Sequence, residues 1–203
     1  LSNYLSSITE FETDRLVLTP TVEDDLDILS EYLLDKDVSR YLDPSIENGF
    51  NTKEEALLFL KGEHEATEYF EFTIKLKGSK NPIGTISIQR FDNQLISPGY
   101  WLGKDFHGKG YASEACCKLL SNVFKAIDVK TIYIACDYEN YSSIKLTNKI
   151  LDYIEQNNKD IELIRTQKED FVVGEINEKT ISFHYFKFVI SKEIIENDIS
   201  TNV

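Results

Sequence analysis

Apolar and polar residues alternate along this chain with two different periods, which divide it into predicted elements. Apolar residues at helical spacing predict four helices, at 22–34, 52–65, 110–127 and 140–154, and residues 37–42 are predicted to form a short helical piece that is not counted in the element order. Alternating or β-branched runs predict strands at 15–20, 70–76, 83–91, 99–103, 131–136, 161–165 and 181–190. The order is β-α-α-β-β-β-α-β-α-β-β without repeats or linkers, so we expect one mixed α/β domain over residues 1–203 with a loose segment at 1–10.

Two threonines are predicted to begin helices. Thr21 precedes acidic residues that suit the first turn of a helix, and we expect its side chain to cap that helix. Thr52 is followed three residues later by Glu55, the spacing of a capping box.

The charge balance narrows the function classes. The chain has 22 basic and 35 acidic residues and a formal net charge of −13, which disfavours binding to nucleic acid or to anionic membranes. Cationic partners are favoured, although acidity that only aids solubility explains the balance equally well. No apolar run approaches membrane length, and Cys116, Cys117 and Cys136 have neither a disulfide framework nor metal-ligand spacing. We therefore expect a cytoplasmic protein without a metal site.

A glycine turn at the start of the clearest amphipathic helix carries the candidate chemistry. Gly108 and Gly110 flank Lys109, so that backbone N–H groups and the positive end of the helix dipole meet a ligand without intervening side chains. Such a turn suits a phosphate or pyrophosphate. The dinucleotide and Walker patterns both fail, because Gly110 has no third glycine after it and stands in the Ser/Thr place. On local grounds, a plain strand-to-helix turn explains these residues equally well.

Longer stretches around this turn resemble motif A of the GNAT acetyltransferase superfamily. The run from Tyr100 to Gly103, followed by Phe106 to Ala115, is similar to its RimJ/RimL branch, which acetylates protein N-termini and other amines. Gly110 and Ala112 match the pattern Gln/Arg-x-x-Gly-x-Gly/Ala, whereas His107 stands where Gln or Arg is usual.

Two further stretches extend the resemblance to about residues 11–150. The run from Asn140 to Leu146 is similar to the family's Asn-x-x-Ser helix start, and Glu12 to Leu18 resembles the first strand of the RimJ/RimL branch. The resemblance implies a central, mostly antiparallel twisted sheet with one splayed strand pair, flanked by helices.

Acetyl-CoA is the cofactor that the resemblance implies. Backbone groups of residues 101–103 would contact its pantetheine arm, Asn140 would contact that arm as well, and residues 108–113 would hold its pyrophosphate. The implied cofactor-binding residues are Trp101, Leu102, Gly103, His107, Gly108, Lys109, Gly110, Tyr111, Ala112, Ser113, Asn140 and Ser143.

The implied reaction is direct attack of a neutral amine on the thioester carbonyl. Ser143 is the implied catalytic residue that protonates the departing thiolate, while a helix-cap hydroxyl is the alternative role for it. The acceptor is a primary amine, either a small molecule such as a polyamine or aminoglycoside or a basic protein N-terminus. The protein is expected to be a monomer or a homodimer.

Several residues depart from the family pattern and leave the general base open. Ser97-Pro98 stands where many relatives carry Glu, and Thr147 stands where some polyamine-acetylating relatives carry Tyr. Asp137, Glu139 and a water relay are the alternatives for the base.

The second departure is Leu151-Asp152, which replaces the usual Gly-Phe and predicts a longer helix. Together with the missing acid, it leaves a non-catalytic acyl-CoA-binding regulatory module as the alternative function. Cys136 ends a strand near the expected site; a covalent acetyl-Cys route is conceivable there, but a buried structural thiol is the simpler interpretation.

Overall fold

The computed structural model describes residues 7–42, 49–61, 68–90, 95–126, 131–157, 162–176 and 179–191. The strands are β1 (Phe11–Glu12), β2 (Leu16–Pro20), β3 (Glu68–Leu76), β4 (Pro82–Arg90), β5 (Leu95–Leu102), β6 (Thr131–Asp137), β7 (Glu162–Ile176) and β8 (Lys179–Ser191). The helices are α1 (Glu23–Leu33), α2 (Lys36–Ser39), α3 (Lys53–Lys61), α4 (Tyr111–Ala126) and α5 (Tyr141–Asn157), and a 3₁₀ turn spans Lys104–Phe106. None of these helices is long and apolar enough to cross a membrane.

The strands form one eight-stranded sheet in the order β1-β2-β3-β4-β5-β6-β8-β7. Every neighbouring pair is antiparallel except β5 and β6, which run parallel. This arrangement confirms the predicted mixed α/β class with a mostly antiparallel sheet.

The parallel pair separates soon after it begins. Within the described residues, β5 and β6 pair with each other at Leu95↔Thr131 and Ile96↔Ile132. Beyond these positions they continue to Leu102 and Asp137 without pairing to each other, although each stays paired with its neighbour on the other side. We call the opening between them the β5–β6 gap; it is the splayed strand pair expected from the sequence.

The two faces of the sheet pack against different helices because successive side chains of a strand point to opposite sides. Ile86 and Ile88 of β4 join a buried core with Leu119 of α4 and Ile150 of α5, and we call this side the α4–α5 face. Trp101 of β5 instead packs with residues of α1 and α3, including Leu29, Leu33 and Ala56, and we call this side the α1–α3 face.

The predicted helix caps have different outcomes. At α3, the Glu55 N–H donates to Thr52 Oγ1 at 3.2 Å and the Thr52 N–H donates to Glu55 Oε2 at 3.2 Å, which confirms the capping box. Thr21 as a cap was wrong, because Val22 occupies the cap position of α1. The Thr21 hydroxyl instead accepts a hydrogen bond from Thr73 of β3 at 3.0 Å.

The predicted strand at 161–165 was too short, because β7 continues to Ile176 and forms a long antiparallel hairpin with β8. β7 is the edge strand of the sheet, where polar residues are tolerated, so the polar segment 166–170 hid its strand character. Helix α5 continues through Leu151-Asp152 to Asn157, as the missing Gly-Phe predicted. The predicted end of α3 near residue 65 and residues 1–6 of the predicted loose segment lie outside the described residues.

Candidate active site

A cleft of about 440 Å³ opens at the β5–β6 gap. It lies between the end of β5, the turn that leads into α4, the first turns of α5, and the segment around α2. Its lining residues are Asp37, Val38, Arg40, Tyr41, Leu42, Tyr100, Trp101, Leu102, Phe106, His107, Gly108, Gly110, Tyr111, Ala112, Ser113, Asn140, Ser142, Ser143, Lys145, Leu146 and Lys149.

The glycine turn presents its backbone to this cleft. Gly108 and Gly110 have φ angles of 73° and 82°, which glycine adopts without the cost that other residues incur. Among the described residues, no hydrogen-bond acceptor engages the N–H groups of residues 108–113, and the next paired N–H is that of Glu114, which donates to Gly110 O at 3.1 Å. A row of free donors therefore stands at the positive end of α4, an arrangement that suits an anion.

An ion pair from the first strands fixes the outer side of this turn. Arg15 Nη1 donates to Lys109 O at 3.0 Å, and Arg15 Nε donates to Glu114 Oε2 at 2.7 Å. The Arg15 guanidinium also lies 4.6 Å from the centre of the Tyr111 ring. Burial acts to raise the pKa of Glu114, but hydrogen bonds from Thr13 and Arg15 outweigh it and hold this pKa below its ordinary value. Glu114 is therefore a carboxylate beside the free N–H groups whose negative charge is stabilised by Thr13 and Arg15.

A cluster of hydroxyl and thiol groups lies at the base of the cleft. The Tyr100 hydroxyl is 2.7 Å from Ser143 Oγ, and Cys136 Sγ is 3.2 Å from both Ser143 Oγ and Thr147 Oγ1. Burial raises the pKa of the Tyr100 hydroxyl and of the Cys136 thiol, so both groups keep their protons at neutral pH. These side chains come from β5, β6 and α5, which the fold brings together across the β5–β6 gap.

Most of the predicted cofactor residues line this cleft. They are Trp101, Leu102, His107, Gly108, Gly110, Tyr111, Ala112, Ser113, Asn140 and Ser143. Gly103 and Lys109 are not lining residues. The Gly103 N–H donates to Ile83 O at 2.8 Å, and the Lys109 ammonium lies 5.9 Å from the centre of the Phe106 ring.

Two predicted polar residues already have partners within the protein. Asn140 Oδ1 accepts from the Ser143 N–H at 3.1 Å and so caps α5. His107 Nε2 is 2.7 Å from Leu102 O, an interaction that ties the turn back to the end of β5. Of the acids considered as a base, Asp137 accepts from the Glu139 N–H at 2.7 Å, and neither residue lines the cleft.

Sequence reasoning missed three groups of residues at the site. Arg15 and Tyr100 lie within the stretches used for the resemblance, but their partners are distant in sequence, so no local pattern points to these contacts. The segment around α2, with Arg40 and Tyr41, is far in sequence from the other lining residues, and Asp37 of α2 is ion-paired with Lys104 beside the glycine turn at 2.7 Å. Lys145 and Lys149, one helical turn apart, were visible as a pair on one face of α5.

Known proteins with similar sequences or folds are acetyltransferases. The chain is 29% identical over 140 residues to Uncharacterized N-acetyltransferase p20 of Bacillus licheniformis, covering 68% of this chain and 79% of that protein. Solved structures share the fold, among them two whose acceptors are named. One is the acetyl transferase from Salmonella typhimurium that modifies the N-terminal serine of 50S ribosomal subunit protein L7/L12, with 19% identity, a TM-score of 0.61, and 91% of this chain and 97% of that chain covered. The other is spermidine N-acetyltransferase from Vibrio cholerae in complex with CoA and spermine, with 15% identity, a TM-score of 0.62, and 89% and 97% covered.

A family model also matches the chain over one continuous stretch. The acetyltransferase (GNAT) domain family matches residues 15–150, which extend from the start of β2 into α5 and include the glycine turn and the hydroxyl cluster. This match covers well over half of the chain, which therefore belongs to the GNAT family of N-acetyltransferases.

Proposed function

We propose that this protein transfers an acetyl group from acetyl-CoA to a primary amine by direct attack. The observation that carries the proposal is the row of free N–H groups at residues 108–113, placed at the start of α4 beside the β5–β6 gap. The turn fits a pyrophosphate because an added Cβ at Gly108 meets no atom within 4 Å, so the backbone is open on that side. Both glycines have the positive φ angles that such a turn requires.

The residues that would hold the cofactor follow from this placement. Residues 108–113 would bind the pyrophosphate, with His107 and Lys109 at the edge of the turn. Backbone groups of Trp101 and Leu102, together with Asn140, would bind the pantetheine arm, whereas the Gly103 N–H is already bonded to Ile83 O. When bound, acetyl-CoA supplies a thioester from which the acetyl group is transferred.

Ser143 is the proposed proton donor at the sulfur end of the cleft. Its hydroxyl lies between the Tyr100 hydroxyl at 2.7 Å and Cys136 Sγ at 3.2 Å, so its position is fixed on two sides. The raised pKa of Tyr100 keeps that hydroxyl protonated as a hydrogen-bond partner for Ser143. Burial raises the pKa of the Cys136 thiol as well, which disfavours a thiolate nucleophile and supports direct attack over a covalent route.

The acceptor class is a cationic amine. The net charge of −13 favours such a ligand, and the structural neighbours named above act on a protein N-terminus and on spermidine. We propose that the protein belongs to the RimJ/RimL branch. Its acceptor is a protein N-terminus, a polyamine or an aminoglycoside. Free thiols at Cys116 and Cys136 suit a reducing compartment, and we propose the cytoplasm.

A second candidate is a module that binds acyl-CoA without turnover. The absence of an acid at Ser97-Pro98 favours it, because no carboxylate stands at that place on β5. To separate the two, we would incubate the protein with acetyl-CoA and spermidine, an aminoglycoside or a peptide with an N-terminal serine, and measure CoA release and product mass. Turnover supports the enzyme, whereas CoA binding without turnover supports the module.

A matched pair of glycine variants tests the binding site itself. Gly110→Val places a branched side chain on the turn, and we expect CoA affinity to fall about tenfold, or about 1.4 kcal/mol. Gly78→Val is the control, because Gly78 has nearly the same φ angle of 81° and lies in the β3–β4 turn with no atom within 4 Å of an added Cβ. Equal CoA affinities for the two folded variants would refute the assignment of the turn.

A further inference from the structure

Two lysines on α5 line the cleft without an ion-pair partner. Lys145 and Lys149 have exposed side chains at the same opening as residues 110–113 at the start of α4. Among the side chains that the structure describes, no carboxylate lies within ion-pair distance of either ammonium group. Other lysines of this acidic chain have such partners, for example Lys77, which lies 2.9 Å from Glu12. The described part of the cleft therefore holds two positive charges that no carboxylate neutralises, in a chain with a net charge of −13.

The spacing of the two lysines brings their charges together. Residues four apart on a helix are neighbours on one face, with about 5–6 Å between their Cβ atoms, and like charges at this spacing destabilise the helix. An anion that contacts both ammonium groups would relieve this repulsion, and a phosphate accepts strong hydrogen bonds from such groups. The pair formed by Lys145 and Lys149 therefore favours an anionic ligand and disfavours a cationic acceptor amine.

The position of the pair along the cleft indicates which anion it would bind. At the rise of an α-helix, Lys149 lies about 9 Å further along α5 than Ser143, the proposed proton donor at the sulfur. The free N–H groups of residues 108–113 already suit the pyrophosphate. CoA carries one further phosphate, a monoester at the 3′ position of its ribose, in the half of the molecule remote from the sulfur. A phosphate monoester has a second pKa near about 6, so this group is mostly a dianion at neutral pH.

Resting on the proposed function, we propose that Lys145 and Lys149 bind the 3′-phosphate of acetyl-CoA and make the protein select the cofactor over its 3′-dephospho form. Two ammonium groups match one dianion in charge, and both lysines share the cleft with the turn that would hold the pyrophosphate. The other arginine or lysine among the lining residues is Arg40, whose guanidinium lies 4.7 Å from the centre of the Tyr41 ring in the segment that follows α2. Arg40 is therefore not part of the lysine pair on α5.

A comparison of CoA with 3′-dephospho-CoA tests this site directly, because the two ligands differ only in that phosphate. In calorimetric titrations, we expect the wild type to bind CoA at least about tenfold more tightly than 3′-dephospho-CoA. In a variant that combines Lys145→Gln with Lys149→Gln, CoA affinity should fall to that of 3′-dephospho-CoA, because the phosphate has lost its cations. Affinity for 3′-dephospho-CoA itself should stay within about twofold of the wild-type value.

The control combines Lys77→Gln with Lys80→Gln, which removes two positive charges from the exposed β3–β4 turn, outside the cleft. We expect this control to keep the wild-type preference for CoA. Equal binding of the two ligands by the wild type, or an undiminished preference in the double variant of α5, would overturn the proposal. An equal loss of affinity for both ligands would overturn it as well, since the lysines would then act on a part that the ligands share. A wild type that binds neither ligand would refute the proposed function and this site together, whereas the other outcomes leave the proposed function standing.

Discussion

Replacing Arg15 tests whether the ion pair at the edge of the sheet prepares the glycine turn for its ligand. In Arg15→Gln, the hydrogen bonds to Lys109 O and Glu114 and the contact with Tyr111 are lost. Hydrogen bonds to charged groups contribute about 1.5–3 kcal/mol, and exposed ion pairs about 0.2–1 kcal/mol. Because the Arg15 side chain is 48% exposed, we expect a loss in unfolding free energy that falls between these two ranges, about 1–1.5 kcal/mol.

The effect on ligand binding is separate from this loss of stability. Without the Arg15 side chain, the Lys109 carbonyl is no longer held on the outer side of the turn, and Glu114 keeps only the hydrogen bonds from Thr13 and from the backbone N–H of residue 15, so its negative charge near the free N–H groups loses its counter-ion. Both changes disfavour an anion at residues 108–113. We expect the dissociation constant for CoA to rise about fivefold to tenfold, equivalent to about 1–1.4 kcal/mol.

The assay combines urea denaturation of the free protein with calorimetric titration of CoA. Lys77→Gln is the control, because it removes an exposed ion pair with Glu12, 2.9 Å long, from the same edge of the sheet without touching the turn. The control is expected to lose little stability and to keep its CoA affinity. Wild-type CoA affinity in a folded Arg15→Gln protein would refute the reasoning, and Arg15→Lys should recover only part of the loss because it lacks the planar fork.

Three other substitutions address stability and catalysis. Burial raises the pKa of Glu71 in the folded protein, so the protein loses stability as the pH rises above the ordinary carboxyl pKa. Glu71→Gln should therefore raise the unfolding free energy at pH 7 but not below about pH 4. Equal gains in urea titrations at both pH values would contradict this. Gly84→Ala should lower stability by about 2 kcal/mol or more in thermal unfolding, because the new Cβ would lie 2.2 Å from Trp101 O, and a loss below 0.5 kcal/mol would argue against this close approach. Tyr100→Phe removes the hydroxyl beside Ser143 and should lower kcat at unchanged CoA affinity, whereas an unchanged kcat would exclude a role for that hydroxyl.

Local patterns were enough to predict most elements of this fold. Period-two alternation marked β3 and β4, and helical spacing marked α4, because each buries one face against the core. The capping box at Thr52 was readable because both partners lie within three residues. Thr21 misled the prediction because its hydroxyl bonds to Thr73 across the sheet, a contact that no local pattern records.

The residues of the candidate site also differ in whether a local sequence pattern predicts them. The glycine turn and Ser143 were visible because they belong to short motifs at the starts of helices. Arg15 and Tyr100 were not, because each depends on contacts between residues far apart in the chain. GNAT membership is confirmed, while the roles of individual residues stay predictions for the experiments above.

The β5–β6 gap makes the packing of the apolar interior a determinant of ligand selectivity. Elsewhere in the sheet, hydrogen-bond ladders hold neighbouring strands about 4.8 Å apart. Beyond Ile96 and Ile132 no ladder joins the described parts of β5 and β6, so their separation depends on how α4 and α5 pack beneath them. A change in side-chain volume at Leu119 or Ile150 therefore alters the distance between β5 and β6, and with it the width of the cleft. On the proposed function, variation at these buried positions would change which acyl groups and amines fit the cleft, without any change in the residues that line it.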